Sequence, residues 1–279
     1  MMVDGLKRTY HLYSPEKLTD QNKLPMVIVL HGGGSDGQSM MRYTKFNDLA
    51  DRENLLVLYP DGTDGNWNDG RDAPAINNRQ DDVKFISVLI DDMVARHRAD
   101  SSRVFATGIS NGAIFCLFLA SKLSEKLLAI APVCGSIPEN YAVTYSIARP
   151  MSVMIINGTA DPLVRYEGGM VAGERSNRGA VIATDSMVTK LVGMLGCSSI
   201  AQSIDFSDSN MKDRSTAVKY VYTDCINKKQ LIFIKVTGGG HTWPGGIQYL
   251  PRYIIGNVCR DFNATSEIWK FFNHQVQVN

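Results

Sequence analysis

Short apolar runs without polar alternation recur along the chain, and most of the stretches between them carry the three- and four-residue step of helices. The runs are Met26–Leu30, Leu55–Tyr59, Arg103–Thr107, Leu127–Val133, Met151–Ile156 and Leu231–Val236. Uninterrupted β-branched runs of this length belong to strands covered on both faces. Over 82–99, Val83, Ile86, Ile90, Met93 and His97 draw one helical stripe, and Val181, Val188, Leu191, Val192 and Leu195 draw another. Near the carboxyl terminus Ala264, Ile268, Phe271 and Phe272 mark a third, with Asn263 as the expected N-cap and Glu267 near the positive end. Strands alternating with helices predict a mostly parallel sheet with helices on both faces. A length of 279 residues suits one α/β core, and no linker, repeat or low-complexity tract divides it, so a single domain over 1–279 is expected.

Charge and hydropathy then remove whole classes of partner. With 29 Lys+Arg against 28 Asp+Glu and no dense basic run, the chain offers no footprint for nucleic acid. Its apolar runs fall far short of the roughly 20 residues that span a bilayer, so no integral membrane segment is expected. Met1–Arg8 lacks a basic region followed by an apolar stretch, as expected of a chain without a secretory leader or one already trimmed. The five cysteines, 116, 134, 197, 225 and 259, form neither CxxC pairs nor a dense disulfide framework, and the odd count leaves at least one thiol unpaired within a monomer. Two Gly- and charge-rich stretches, Asp61–Gln80 and Pro162–Arg178, read as long loops, and loops of that length are often functional.

Gly108-Ile109-Ser110-Asn111-Gly112 follows the run Arg103–Thr107 and precedes an apolar helix expected over Asn111–Lys122. A plain turn could share that composition. The strand-to-helix context makes it a nucleophile elbow, where a sharp turn strains the serine and glycines on either side avoid a clash. His31-Gly32-Gly33-Gly34 follows Met26–Leu30. Acyl transfer builds an oxyanion that needs donors already in place, and backbone amides on such a turn supply them. The amide of Gly33 is the first choice and that of Gly34 the second, with the amide of Asn111 as the other donor.

A serine needs a base, and five histidines are available. His11 lies in a strand-like segment, His31 in the glycine turn, His97 on a helical stripe and His274 near the carboxyl terminus. His241 remains, in a loop just past Leu231–Val236. Its orienting acid should also follow a strand, and Asp161 follows Met151–Ile156 directly; Asp185, Asp205 and Asp208 are rivals that do not. The order Ser110, Asp161, His241 is that of α/β-hydrolases. Trp67 and Trp243, each beside these segments, are expected to wall the substrate cleft. Four aspartates in 61–72 suggest calcium, but counting from Asp64 places Asp69 where an EF-hand loop needs glycine.

Taken together, Tyr59-Pro60-Asp61-Gly62, Trp67-Asn68, Asp81-Asp82-Val83, Asp100 with Arg103-Val104, Gly108 to Gly112, Ala131-Pro132-Val133, Asn157-Gly158-Thr159 with Asp161, and Gly239 to Gly245 resemble the polyhydroxybutyrate depolymerase-like esterases. That family adjoins the feruloyl and acetylxylan esterases of the LpqC type, and the likeness runs from about Arg8 to Phe272. It implies an α/β-hydrolase with little or no cap domain, and a serine esterase with nucleophile Ser110, acid Asp161 and base His241. No metal or organic cofactor is expected. The implied substrates are feruloyl-type or other small plant cell-wall esters. Short-chain polyhydroxyalkanoate oligomers are the alternative, and a non-catalytic binding protein on the same fold is the second. Ala113 departs from the family, where a second glycine often follows the elbow. The resemblance also implies a Cys197–Cys225 disulfide, whose loop would contribute roughly 3 kcal/mol, and a secreted or periplasmic location, with the cytoplasm as alternative. Cys116 and Cys134 are expected in the core; Cys259 has no assigned place.

Overall fold

The computed structural model describes residues 1–15, 23–74, 76 and 80–278. The apolar runs become strands of one sheet: β1 (Tyr10–Tyr13), β2 (Leu24–Leu30), β3 (Leu56–Pro60), β4 (Ala99–Ile109), β5 (Ala129–Val133), β6 (Ser152–Gly158), β7 (Ala201–Asp205), β8 (Thr216–Tyr222) and β9 (Leu231–Thr237). Their order is β1-β3-β2-β4-β5-β6-β9-β8-β7. The six strands from β3 to β9 in that order pair in parallel, and antiparallel pairings close both margins. The six predicted runs are the six parallel strands. The antiparallel margin strands are more exposed and lack that apolar signature.

Among the described residues, six helices of eight or more residues cover the sheet: α1 (Gly37–Thr44), α2 (Phe46–Glu53), α3 (Asp82–Arg96), α4 (Asn111–Lys122), α5 (Thr184–Leu195) and α6 (Ala264–Val278). Because side chains alternate along a strand, Met26, Ile28 and Leu30 pack toward α3, α4 and α5 with Phe85, Phe115 and Met187. Val27 and Val29 pack on the other face, toward α1, α2 and α6 with Met40, Phe46 and Phe272. Burying both faces is why these strands read as continuous apolar runs.

The helix boundaries follow local chemistry. Asp81 caps α3 by accepting from Lys84 N at 2.8 Å, and Asn263 caps α6 by accepting from Ser266 N at 2.9 Å. Glu267 pairs with Lys219 and Lys270 instead of acting on the helix end alone. His97 is not on a buried stripe: α3 stops at Arg96, and His97 is its exposed C-cap before the chain turns into β4. Val181 likewise lies outside its expected helix, because it pairs with Gly169 in a two-residue antiparallel contact within the second long loop. The first long loop is described except at 75 and 77–79, so the reading of 61–80 lies partly outside the described residues.

Cys197 and Cys225 form a disulfide that ties the end of α5 to the end of β8. Cys116, Cys134 and Cys259 are buried free thiols, and burial pushes the Cys259 thiol up to about 11.

Candidate active site

Parallel register brings several chain segments to one edge of the sheet. Leu30 pairs with Gly108, Ile109 with Val133, Val133 with Ile156, and Gly158 with Val236. The residues that follow these strand ends are His31 to Gly33, Ser110, Cys134, Asp161 and His241. Ligands of open α/β sheets bind at this carboxyl edge.

Ser110 sits between β4 and α4 with φ 60° and ψ −123°, a conformation that costs a non-glycine residue about 1–3 kcal/mol. Neighbouring contacts show why its flanking positions are glycine. A Cβ on Gly108 would stand 2.7 Å from the Leu30 carbonyl, and one on Gly112 would stand 2.5 Å from both the Leu30 and His31 carbonyls. The turn is fixed by Ser110 N donating to Val133 O at 3.1 Å and by Ala113 N and Ile114 N donating to Ser110 O at 2.9 Å. The unusual Ala113 is accommodated across the turn: a Cβ on Gly135 would lie only 2.5 Å from the Ala113 methyl. The Ala113 methyl therefore requires a glycine at 135 on the facing segment.

Asp161 and His241 are both buried and meet at 2.7 Å between Oδ2 and Nδ1. The other carboxylate oxygen accepts from Leu163 N at 2.8 Å and Val164 N at 2.9 Å, so the acid is locked by its own following turn. A carboxylate oxygen accepts, which puts the proton on Nδ1 and leaves the lone pair on Nε2. His241 N donates to Ile255 O at 2.6 Å, and Tyr249 OH donates to His241 O at 3.3 Å. Ser110 and His241 line the same cavity of about 490 Å³. Of the rival acids, Asp185 accepts from Tyr166 OH, Asp205 is exposed on a margin strand, and Asp208 caps Asn210 N at 3.2 Å.

The glycine turn lies against the elbow, a Cβ on Gly32 falling 3.5 Å from that of Ser110. Gly34 N already donates to Gly65 O at 2.7 Å, which leaves Gly33 as the available donor of the two candidates. The Asn111 amide opens α4, where first-turn N–H groups have no partner inside the helix. Buried His31 holds the turn by accepting from Gly62 N at Nε2, 2.8 Å, with Nδ1 2.8 Å from Gly32 O. Burial lowers its pKa from the ordinary histidine value.

The two tryptophans are not the cleft walls. Trp67 is 0% exposed, stacks on Phe115 at 5.1 Å and donates Nε1–H to His31 O at 3.0 Å. Trp243 is 1% exposed and donates Nε1–H to Thr265 Oγ1 at 3.0 Å. An indole that finds an acceptor inside the protein buries its large apolar area at little polar cost. The walls are instead Met40 and Tyr43 of α1, Leu163 and Val171 of the second long loop, and Tyr249 and Leu250 beyond the histidine. These lie on irregular segments or a short helix, and the exposed apolar residues of 247–254 were the available clue.

Two further residues were not legible. The Asn111 side chain accepts from Trp67 N at 2.8 Å and donates to Trp67 O at 3.1 Å and Asp69 Oδ2 at 2.7 Å, fastening the first long loop to the elbow helix. Cys134, at φ 54°, donates to Thr242 O at 3.3 Å behind the histidine, and burial pushes its thiol up. Cys134, Asp161 and His241 are the one close group of metal-ligating types among the described residues, but the Asp161–His241 bond already occupies two of its ligand atoms. Two aspartates of the first long loop serve structure: Asp69 binds Arg71 at 2.7 Å, and Asp61 accepts from Gly37 N at 2.8 Å.

Comparison with known proteins places the chain in a family. The family model described as esterase PHB depolymerase matches residues 8–191. The chain belongs to that family. This esterase is a carboxylic ester hydrolase. It is 28% identical over 277 residues to a protein of Nocardia uniformis subsp. tsuyamanensis named as the esterase NocK, covering 95% of this chain and 78% of that one. A bifunctional acetylxylan esterase/xylanase of Neocallimastix patriciarum is 29% identical over 165 residues, 58% of this chain but 23% of the relative. The crystal structure of an acetyl xylan esterase from Aspergillus awamori has the same fold, with TM-score 0.63, 17% identity, and 95% and 93% of the two chains covered. His241 lies beyond the family match, on a strand end that the sheet register brings to Asp161.

Proposed function

We propose that the esterase hydrolyses carboxylic esters through Ser110 as nucleophile, His241 as general base and Asp161 as its orienting acid, with the amides of Gly33 and Asn111 binding the oxyanion. The observation that carries this reading is a strained serine opening into the same cavity as an imidazole whose Nδ1 is held at 2.7 Å by a buried carboxylate. Ser110 Oγ attacks the ester carbonyl as its proton passes to His241 Nε2. The imidazolium returns that proton to the leaving alcohol, and water repeats the sequence on the acyl-enzyme, releasing the acid. Asp161 stabilises the imidazolium, and the two amides offset the negative charge on the carbonyl oxygen.

A small soluble ester, of feruloyl type or another small plant cell-wall ester such as an acetyl ester, is the substrate class we assign. Similarity to the acetylxylan esterase supports it, and Tyr43 with Tyr249, whose rings meet edge-on at 5.3 Å, supply aromatic surface in the cleft. A secreted or periplasmic location is supported by the Cys197–Cys225 disulfide. No helix among the described residues is long and apolar enough to cross a membrane. Denatured but unreduced protein should show three titratable thiols; five would remove this support.

Turnover of 4-nitrophenyl acetate and ethyl ferulate, with peptide mapping after a fluorophosphonate probe, tests the mechanism. Label on Ser110 is expected, and Ser110→Ala should lower kcat about 10⁴-fold or more without changing the melting temperature. Label elsewhere, or more than a tenth of activity in the variant, would place the nucleophile on another residue. Folded protein with neither turnover nor label would establish the binding-protein alternative.

A further inference from the structure

We propose that the cleft is built for an ester that carries a free carboxylate, held between Arg42 and Arg178 a short alkyl chain away from Ser110. This inference rests on the esterase reading of the same cavity. The lining contains two guanidinium groups and no carboxylate. Arg42 comes from the last turn of α1, and Arg178 from the end of the second long loop, so the charges enter from different elements. Arg178 Nη1 is 3.1 Å from the point where a Cβ on Gly33 would stand, and Asn111 Cβ is 3.7 Å from that same point. The guanidinium therefore lies over the turn that faces the nucleophile.

The rest of the molecule shows how this chain treats an arginine that serves structure. Arg8 is paired with Asp82 at 2.6 Å, Arg71 with Asp69 at 2.7 Å, and Arg103 with Asp100 at 2.7 Å. Among the described residues, neither Arg42 nor Arg178 has an ion-pair partner. Asp36, the nearby acid on the Arg42 side, is engaged as the α1 N-cap, accepting from Ser39 N at 2.7 Å. Arg178 is held at its backbone: its carbonyl accepts from Arg71 Nη1 at 2.8 Å, and Gly179 O accepts from Val171 N at 3.0 Å. A buried ion pair thus fixes the root of an arginine whose own charge is unmatched. Guanidinium groups bind carboxylates through two parallel N–H bonds, a geometry that lysine lacks. The same cavity is lined by Met40, Leu163 and Leu250, which suit methylene groups.

A carboxylate could belong to either side of the ester. On the acyl side the substrate is a half-ester of a dicarboxylic acid; on the alcohol side it is an acylated hydroxy acid. Two matched pairs separate them by steady-state kinetics: mono-4-nitrophenyl adipate against 4-nitrophenyl hexanoate, and 3-acetoxybutanoate against its neutral amide. In one pair at least, kcat/KM should favour the anion by about tenfold or more in 10 mM salt, and the preference should shrink by 300 mM. Arg42→Gln together with Arg178→Gln should abolish the ratio, whereas Arg178→Lys should retain part of it. Turnover of the neutral esters with no anionic preference in either pair, or a preference that survives the double substitution, would overturn the inference while leaving the esterase reading intact. Absence of turnover on all four compounds, with no fluorophosphonate label, would overturn both.

Discussion

The two long loops are both rich in glycine and charged residues, yet their duties are opposite. In the first, Trp67, Asp69 and Arg71 are buried, and the loop is bonded on several sides: by the Asn111 side chain to Trp67 and Asp69, and by His31 to Gly62. Asp82, just after it, holds Asn68 N at 2.7 Å while pairing with Arg8. The second loop is anchored at its root, where Asp161 caps Leu163 and Val164, and where Val164, Val171 and Val181 pack on Ile114. Its outer part, from Ala172 to Arg178, is mostly exposed and contributes to the cleft. Asp61, Asp69 and Arg71 of the first loop are therefore internal bracing, and Arg178 of the second is available to a ligand. Burial, not composition, separates the two.

Substitutions can break this contrast. The largest effect should come from Asp161→Asn, at the root of the second loop: kcat should fall about 10⁴-fold. Asparagine keeps an acceptor for the Leu163 and Val164 amides, so thermal melting should stay unchanged; a large loss of stability would show that the acid holds the loop more than the histidine. Next is Asp69→Ala in the first loop, which strands Arg71 and the Asn111 amide. Denaturant unfolding should report a loss of about 3 kcal/mol, and a loss below about 1 kcal/mol would end the bracing account.

A pH arm sharpens the same comparison. Because burial lowers the His31 pKa, the unfolded chain takes up a proton near the ordinary value of about 6.5 while the folded chain does not. Stability contributed by neutral His31 is thus complete above that value. It declines as pH falls below it, by at most about 1.4 kcal/mol per pH unit, and levels off below the folded pKa. His31→Gln should remove this part of the slope in urea titrations between pH 7.5 and 5; an unchanged slope would assign it to other groups. The smallest effect is expected from Gly173→Ala on the exposed part of the second loop. With φ +88° and no atom within 4 Å of an added Cβ, it should cost about 1 kcal/mol of stability through backbone conformation alone. A cost above about 3 kcal/mol would mean that this segment is as tightly built as the first.

Much of the site was readable because its chemistry is written locally. A glycine on each side of Ser110 is demanded by carbonyls 2.5–2.7 Å from the missing Cβ atoms, and such a demand leaves a motif. Asp161 could be chosen because it follows an apolar run directly and His241 because the other four histidines were accounted for, and a parallel sheet gathers the carboxyl ends of its strands. The tryptophans misled because their residue type fits both a cleft and a core, and the acceptors that decide between them, the His31 carbonyl and the Thr265 hydroxyl, come from elsewhere in the chain. His97 misled for a simpler reason: one residue past the end of α3, periodicity no longer determines which way a side chain faces.

From its sequence alone, then, this esterase determined its parallel sheet, its elbow, its glycine turn and the strand ends that carry Ser110, Asp161 and His241, since each depends on neighbours along the chain. Tertiary structure alone decided which loop is buried, which arginines are paired, which amide of the glycine turn is already taken and which side chains wall the cleft. Those properties depend on contacts between segments tens to hundreds of residues apart, where the free energy of burying or pairing a group is set by partners that no local pattern names.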